Sequence, residues 1–133
     1  MQTLSLVIVT LAALWLVGLA FLMALRPRYC LHLFEKMTAN LDAANWHLNL
    51  AEQGLRLVAG AALIIRSPVS KAPLVFEIAG WCIVISSLLI LVAPIRWHAA
   101  YGFWWARRLT PTAIRILSPV PAAAGAVLTY AAF

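Results

Sequence analysis

The chain has 133 residues, 65% of them apolar and 11% charged, with a net charge of +6. A chain this short buries only about 60–70% of its surface, so the composition argues against an ordinary soluble enzyme, a disordered tail or a secreted disulfide scaffold. The basic excess lies between apolar runs, as at the cytoplasmic face of a bilayer, and no nucleic-acid partner is expected.

Residues 4–25 form an uncharged apolar run, long enough for the ~20 residues a crossing helix needs. Met1-Gln2-Thr3 lacks the positive n-region of a signal peptide, so the run reads as a retained helix. Arg26-Pro27-Arg28 ends it as a charged anchor. From Cys30 onward Leu33, Phe34, Met37 and Leu41 recur at helical spacing, with His32, Glu35, Lys36 and Asn40 opposite. That pattern predicts an amphipathic helix over about 29–46, lying in the headgroup layer.

The second span is predicted over 48–65, because Leu55 to Ile65 alone is too short to cross. Its extension brings in Asn49, Glu52, Gln53 and Arg56 and keeps the number of crossings even. The third span covers 74–93 between Pro73 and Pro94, where proline starts or ends a helix without breaking it. Beyond it, Trp97, Tyr101, Trp104 and Arg108 fall on one face of a second interfacial helix, 95–109, to which Phe103, Trp105 and Arg107 add. Anchoring at the interface is its plainer role, and a site for anionic lipid or an acidic partner the more specific one. The fourth span, 112–132, begins with Thr110 as N-cap and Pro111 at the first helical position. Pro119 and Pro121 should kink it, freeing carbonyls for Ser118 or a neighbouring helix to satisfy.

The fold class is therefore an all-α integral membrane protein: one domain of four transmembrane helices with one or two interfacial amphipathic helices on the inner face. Arg26, Arg28, Lys36, Arg96, Arg107, Arg108 and Arg115 then lie inside, and only Arg66 and Lys71 outside. Both termini are predicted outside, which in a bacterial inner membrane is the periplasm. Small residues at Ala59, Gly60, Ala61 and Ala62, and over 122–126, suggest close helix packing.

Ionisable residues within a span are functional candidates by default. Glu52 and Arg56 are one turn apart and can pair, and Asn49 and Gln53 extend the same polar stripe. One reading is a polar pocket or proton path opening to the inside. The other is structural, with Asn49-x-x-Glu52 capping the helix and Arg56 snorkelling. Glu77 suits the start of the third span, with Arg66 or Lys71 to neutralise it. Cys30 and Cys82 form no disulfide framework, and Cys82 reads as a small buried hydrophobe. His32, His47 and His98 share the inner face without metal-ligand spacing. No catalytic signature occurs, and no catalytic residue, metal or cofactor is assigned.

His47-Leu48-Asn49-Leu50-Ala51-Glu52 resembles the Asn-x-x-Glu segment of the membrane-associated eicosanoid and glutathione metabolism (MAPEG) family. The resemblance implies four helices per chain, outward termini, a trimer, and glutathione contacts at Asn49 and Glu52. Ala43-Ala44-Asn45-Trp46 stands where that family carries arginines. The leading expectation is a non-enzymatic accessory or scaffold subunit, acting through helix packing in the bilayer. Its partners would be membrane lipids and other membrane subunits or copies of itself. The alternatives are a small oligomeric transporter or channel around Glu52 and Arg56, and a glutathione-dependent membrane enzyme.

Overall fold

The computed structural model describes residues 1–39 and 46–133. Asn40, Leu41 and Asp42, with the last residues of the first expected interfacial helix, lie outside the described residues. Uninterrupted apolar sequence makes α1 (Gln2–Leu25) one helix of 24 residues. It stops at Arg26, whose N–H donates to the Leu22 carbonyl and whose φ of −132° and ψ of 59° leave the helical region. The cause is Pro27, which disfavours helical backbone at the residue before it. Pro27 then opens α2 (Pro27–Ala39), where its missing N–H is not needed.

The next helix, α3 (Trp46–Arg66), starts slightly before the predicted span and runs into a 3₁₀ turn at Ser67–Val69. Two hydroxyl bonds close that corner, from Ser67 Oγ to the Pro73 carbonyl and from Ser70 Oγ to the Ser67 carbonyl, each 2.9 Å. After it, α4 (Pro73–Val92) begins on a proline and ends where Ala93 turns extended ahead of Pro94. The second segment expected at the interface is α5 (Ile95–Ala106).

The segment expected as the last crossing is two helices, α6 (Pro111–Leu117) and α7 (Pro119–Ala132). Pro119 has no N–H for the Arg115 carbonyl, and the Ser118 hydroxyl donates to that carbonyl at 2.7 Å instead. At the start of α6, Thr110 Oγ1 accepts from the Ala113 N–H at 3.1 Å. Thr110→Ala should cost about 1 kcal/mol, read as a lower unfolding midpoint in detergent. Thr110→Ser should restore it.

Four helical segments are long and apolar enough to cross a membrane: Gln2–Leu25, Trp46–Val69, Pro73–Val92 and Pro111–Ala132. They pack in the order α4, α3, α1, then α6–α7. Two glycine contacts set the closest approaches. A methyl on Gly80 would fall 2.8 Å from the Gly60 carbonyl, and one on Gly125 2.9 Å from the Ala13 carbonyl. Hydrogen at these positions lets the backbones meet.

The apolar core lies at the end that holds both termini, where Val9, Ala62, Leu63, Phe76, Ala131 and Ala132 are buried. The last carbonyls of α7 are satisfied there from the α3–α4 corner. Arg66 Nη2 donates to the Ala132 carbonyl at 2.7 Å, and the Lys71 N–H to the Ala131 carbonyl at 2.9 Å. A cation at a helix C-terminus also complements its dipole. At the opposite, arginine-rich end, α2 packs against α5 and α6. Thr38 is buried where its side chain comes against Gly102, and Met37, on the apolar face expected to lie in the headgroup layer, is 57% exposed.

Candidate functional site

α3 carries Asn49, Glu52, Gln53 and Arg56 on one stripe, but packing buries only part of it. Asn49 and Gln53 are buried, Gln53 completely, and Gln53 Nε2 donates to Asn49 Oδ1 over a long 3.5 Å. Because α3 begins at Trp46, Asn49 is inside the helix rather than at its cap. Gln53 Oε1 finds no hydrogen-bond partner among the described residues, and neither does Ser87 Oγ on α4. The antiparallel register that sets Gly60 against Gly80 sets Gln53 against Ser87 about two turns further along. An orphan polar atom of this kind costs about 1–3 kcal/mol. Ser87 was not among the expected site residues, since a serine in an apolar run carries no signal until its neighbour is known.

Glu52 and Arg56 stay at the surface. Arg56 Nη2 donates to Glu52 Oε1 at 2.7 Å, and the side chains are 47% exposed for Arg56 and 30% for Glu52. Arg56 is about 15 Å along α3 from Trp46, near the middle of the helix. Helical spacing puts Glu52, Arg56, Ala59 and Leu63 on one stripe. Leu63 is buried in the core with Val9, so the stripe is covered at the termini end and open at the arginine-rich end. The four positions stay within one arc of about 100° on α3. Asn49 and Gln53 form its buried edge, and Glu52–Arg56 is a charge-neutral pair on the exposed one.

On α5, Trp97, Tyr101 and Trp104 are exposed. Tyr101 and Trp104 each meet Trp105 edge-on, at centroid distances of 6.3 and 5.1 Å. Arg108 lies 3.6 Å above the Trp104 ring and Arg107 4.6 Å above Phe103. These stacked cations line an open cavity of about 490 Å³ with Ala100. The i, i+4 spacing of ring and arginine produces both contacts.

A second open cavity, of about 600 Å³, sits where α1, α2 and α6 converge. Leu25 to Tyr29 line one side, and Pro111, Thr112 and Arg115 the other. Arg115 Nε donates to the Ala24 carbonyl at 3.2 Å, tying α6 to the last turn of α1. Sequence reasoning treated Arg26 and Arg28 as an anchor only. Arg115 joins them through tertiary packing, which has no local signature.

Two further expectations are corrected. Arg66 and Lys71 do not neutralise Glu77. Arg66 is bonded to Ala132, and Lys71 Nζ lies 4.7 Å over the Tyr130 ring. Cys82 is exposed rather than buried, because apolar sequence does not say whether a side chain meets protein or surroundings. Cys30 is partly covered, and burial pushes its thiol up from the ordinary value, so it stays protonated and weakly nucleophilic near neutrality. Among the described residues no three His, Cys, Asp or Glu side chains come together as a metal-ligand group. No protein-family model, curated protein or solved structure matches the chain.

Proposed function

We propose that the chain is an integral membrane accessory or scaffold subunit that acts through helix packing in the bilayer and contacts lipid at its arginine-rich end. The observation that carries this reading is the direction of its apolar surface. The four long helices are only 17%, 28%, 17% and 11% buried over their most apolar windows. Leu14, Trp15 and Phe21 are each more than 60% exposed. A soluble monomer rarely exposes more than a few hundred Å² of contiguous apolar surface, and here every span-length helix exposes apolar side chains along its length. The concentration of arginine at one end supports an orientation with that end cytoplasmic. In a bacterial inner membrane both termini would then be periplasmic. Partners are lipids and either other membrane subunits or further copies of the chain. Native mass measurement after mild-detergent extraction tests this. A complex larger than one chain, with lipid retained, is the expected result, and a lipid-free lone monomer would overturn the reading.

A second reading, a small transporter or channel, is favoured by one feature: an ion pair accessible midway along a span-length helix. It predicts that Glu52→Gln abolishes proton- or substrate-coupled flux in proteoliposomes. Unchanged flux would remove Glu52 from any such mechanism.

A further inference from the structure

The cavity between α1, α2 and α6 holds three guanidinium groups, Arg26, Arg28 and Arg115. Among the described residues the one ion pair is Glu52–Arg56, so none of the three has a carboxylate partner there. Three positive charges around one cavity repel each other unless an anion sits between them.

We infer that this cavity is a binding site for a phosphate-bearing group carrying two or more negative charges. Arginine suits such a group because its planar fork donates two parallel hydrogen bonds to phosphate oxygens. The fold holds the three in different ways. Arg115 is fixed at its Nε by the Ala24 carbonyl, and its terminal nitrogens remain as donors. Arg26 occupies the joint forced by Pro27, between α1 and α2. Arg28 is in the first turn of α2, where its own N–H and that of Tyr29 fall outside the ladder of the helix. That helix end attracts anions independently of the side chains. The hydroxyls of Tyr29 and Thr112 add donors at the rim.

The phosphate has two candidate sources, a lipid headgroup and a soluble phosphate compound. The surroundings favour the lipid. Leu25 is 74% exposed at the cavity edge, with Phe21 one turn further along α1 at 64% and Ile116 on α6 at 70%. An acyl chain leaving the headgroup would lie along these residues. This part of the inference rests on the membrane reading; the phosphate chemistry does not.

The test uses the full chain in detergent and in nanodiscs, with phosphatidic acid, phosphatidylcholine and inorganic phosphate as probes. Phosphatidic acid should bind at least about tenfold more tightly than phosphatidylcholine, and the triple change Arg26→Gln, Arg28→Gln, Arg115→Gln should remove that preference. The equal charge loss of Lys36→Gln, Lys71→Gln, Arg96→Gln should leave it within about twofold, since bulk attraction alone falls equally in both. Replacing the three arginines with lysine keeps the charge but loses the fork, and should give an intermediate loss. Inorganic phosphate that competes at millimolar concentration, lost in the same glutamine triple, would assign the site to a soluble compound. Equal losses in the two glutamine triples, or none in either, would overturn the inference. Recovery of the chain as a soluble protein without detergent would overturn the membrane reading, and phosphate competition in solution would still decide the cavity.

Discussion

Gly80→Ala is expected to weaken the α3–α4 pair by about 1–3 kcal/mol, the usual range for overpacking a close contact. The added methyl falls 2.8 Å from the Gly60 carbonyl and 3.1 Å from the Ile64 nitrogen. Backbone atoms cannot rotate aside as a side chain can, so relief requires the two helices to separate. Gly54→Ala is the matched control on α3. A methyl there meets nothing within 4 Å, and helix propensity alone favours alanine by about 0.8–1 kcal/mol. The two changes therefore carry opposite signs. Unfolding in mixed micelles, followed by tryptophan fluorescence, reads both. Wild-type stability in Gly80→Ala would mean that the glycine contact does not hold the pair together. A destabilising Gly54→Ala would mean that a partner covers that face in the assembled protein.

Glu52→Leu is expected to strand Arg56 about halfway along α3. In lipid an uncompensated arginine at that depth costs roughly 2.5–3.5 kcal/mol. In water an exposed ion pair of this kind contributes below ~1 kcal/mol, so the size of the effect reports the solvent around α3. Glu52→Leu with Arg56→Leu should recover stability relative to Glu52→Leu alone, because removing both charges leaves nothing uncompensated. A double-mutant cycle measures the coupling. Coupling below ~1 kcal/mol would place the pair in water and count against a lipid-facing α3.

The features legible in the sequence are those set by neighbours along the chain. Run length marks three of the four span-length helices, and the need for an even number of crossings marks the second. Thr110 before Pro111 marks the start of α6, and Ser118 before Pro119 marks its break. One-turn spacing brings Glu52 to Arg56, Trp104 to Arg108 and Phe103 to Arg107. What was not legible depends on contacts across the fold. Asn49 and Gln53 share a helix with Glu52 and Arg56, but only the position of α4 decides which pair is buried. Ser87 acquires its meaning from the register across Gly60 and Gly80. Arg115 becomes part of a basic cavity because α6 returns to the end of α1. Cys82 is exposed despite its apolar character, since outward-facing apolar residues follow the same composition rules as inward-facing ones in a chain of this kind.

The proposed membrane arrangement requires both chain ends on one side of a bilayer and the arginine-rich end on the other. Single cysteines at Gln2, Lys71, Phe133, Arg28 and Arg107, introduced after Cys30→Ser and Cys82→Ser, can be reacted with a membrane-impermeant maleimide in sealed vesicles of known orientation. Gln2, Lys71 and Phe133 should label together from one side, and Arg28 and Arg107 only from the opposite side. Labelling of Gln2 and Phe133 from opposite sides would contradict the arrangement, as would equal labelling of all five positions without any membrane to enclose them.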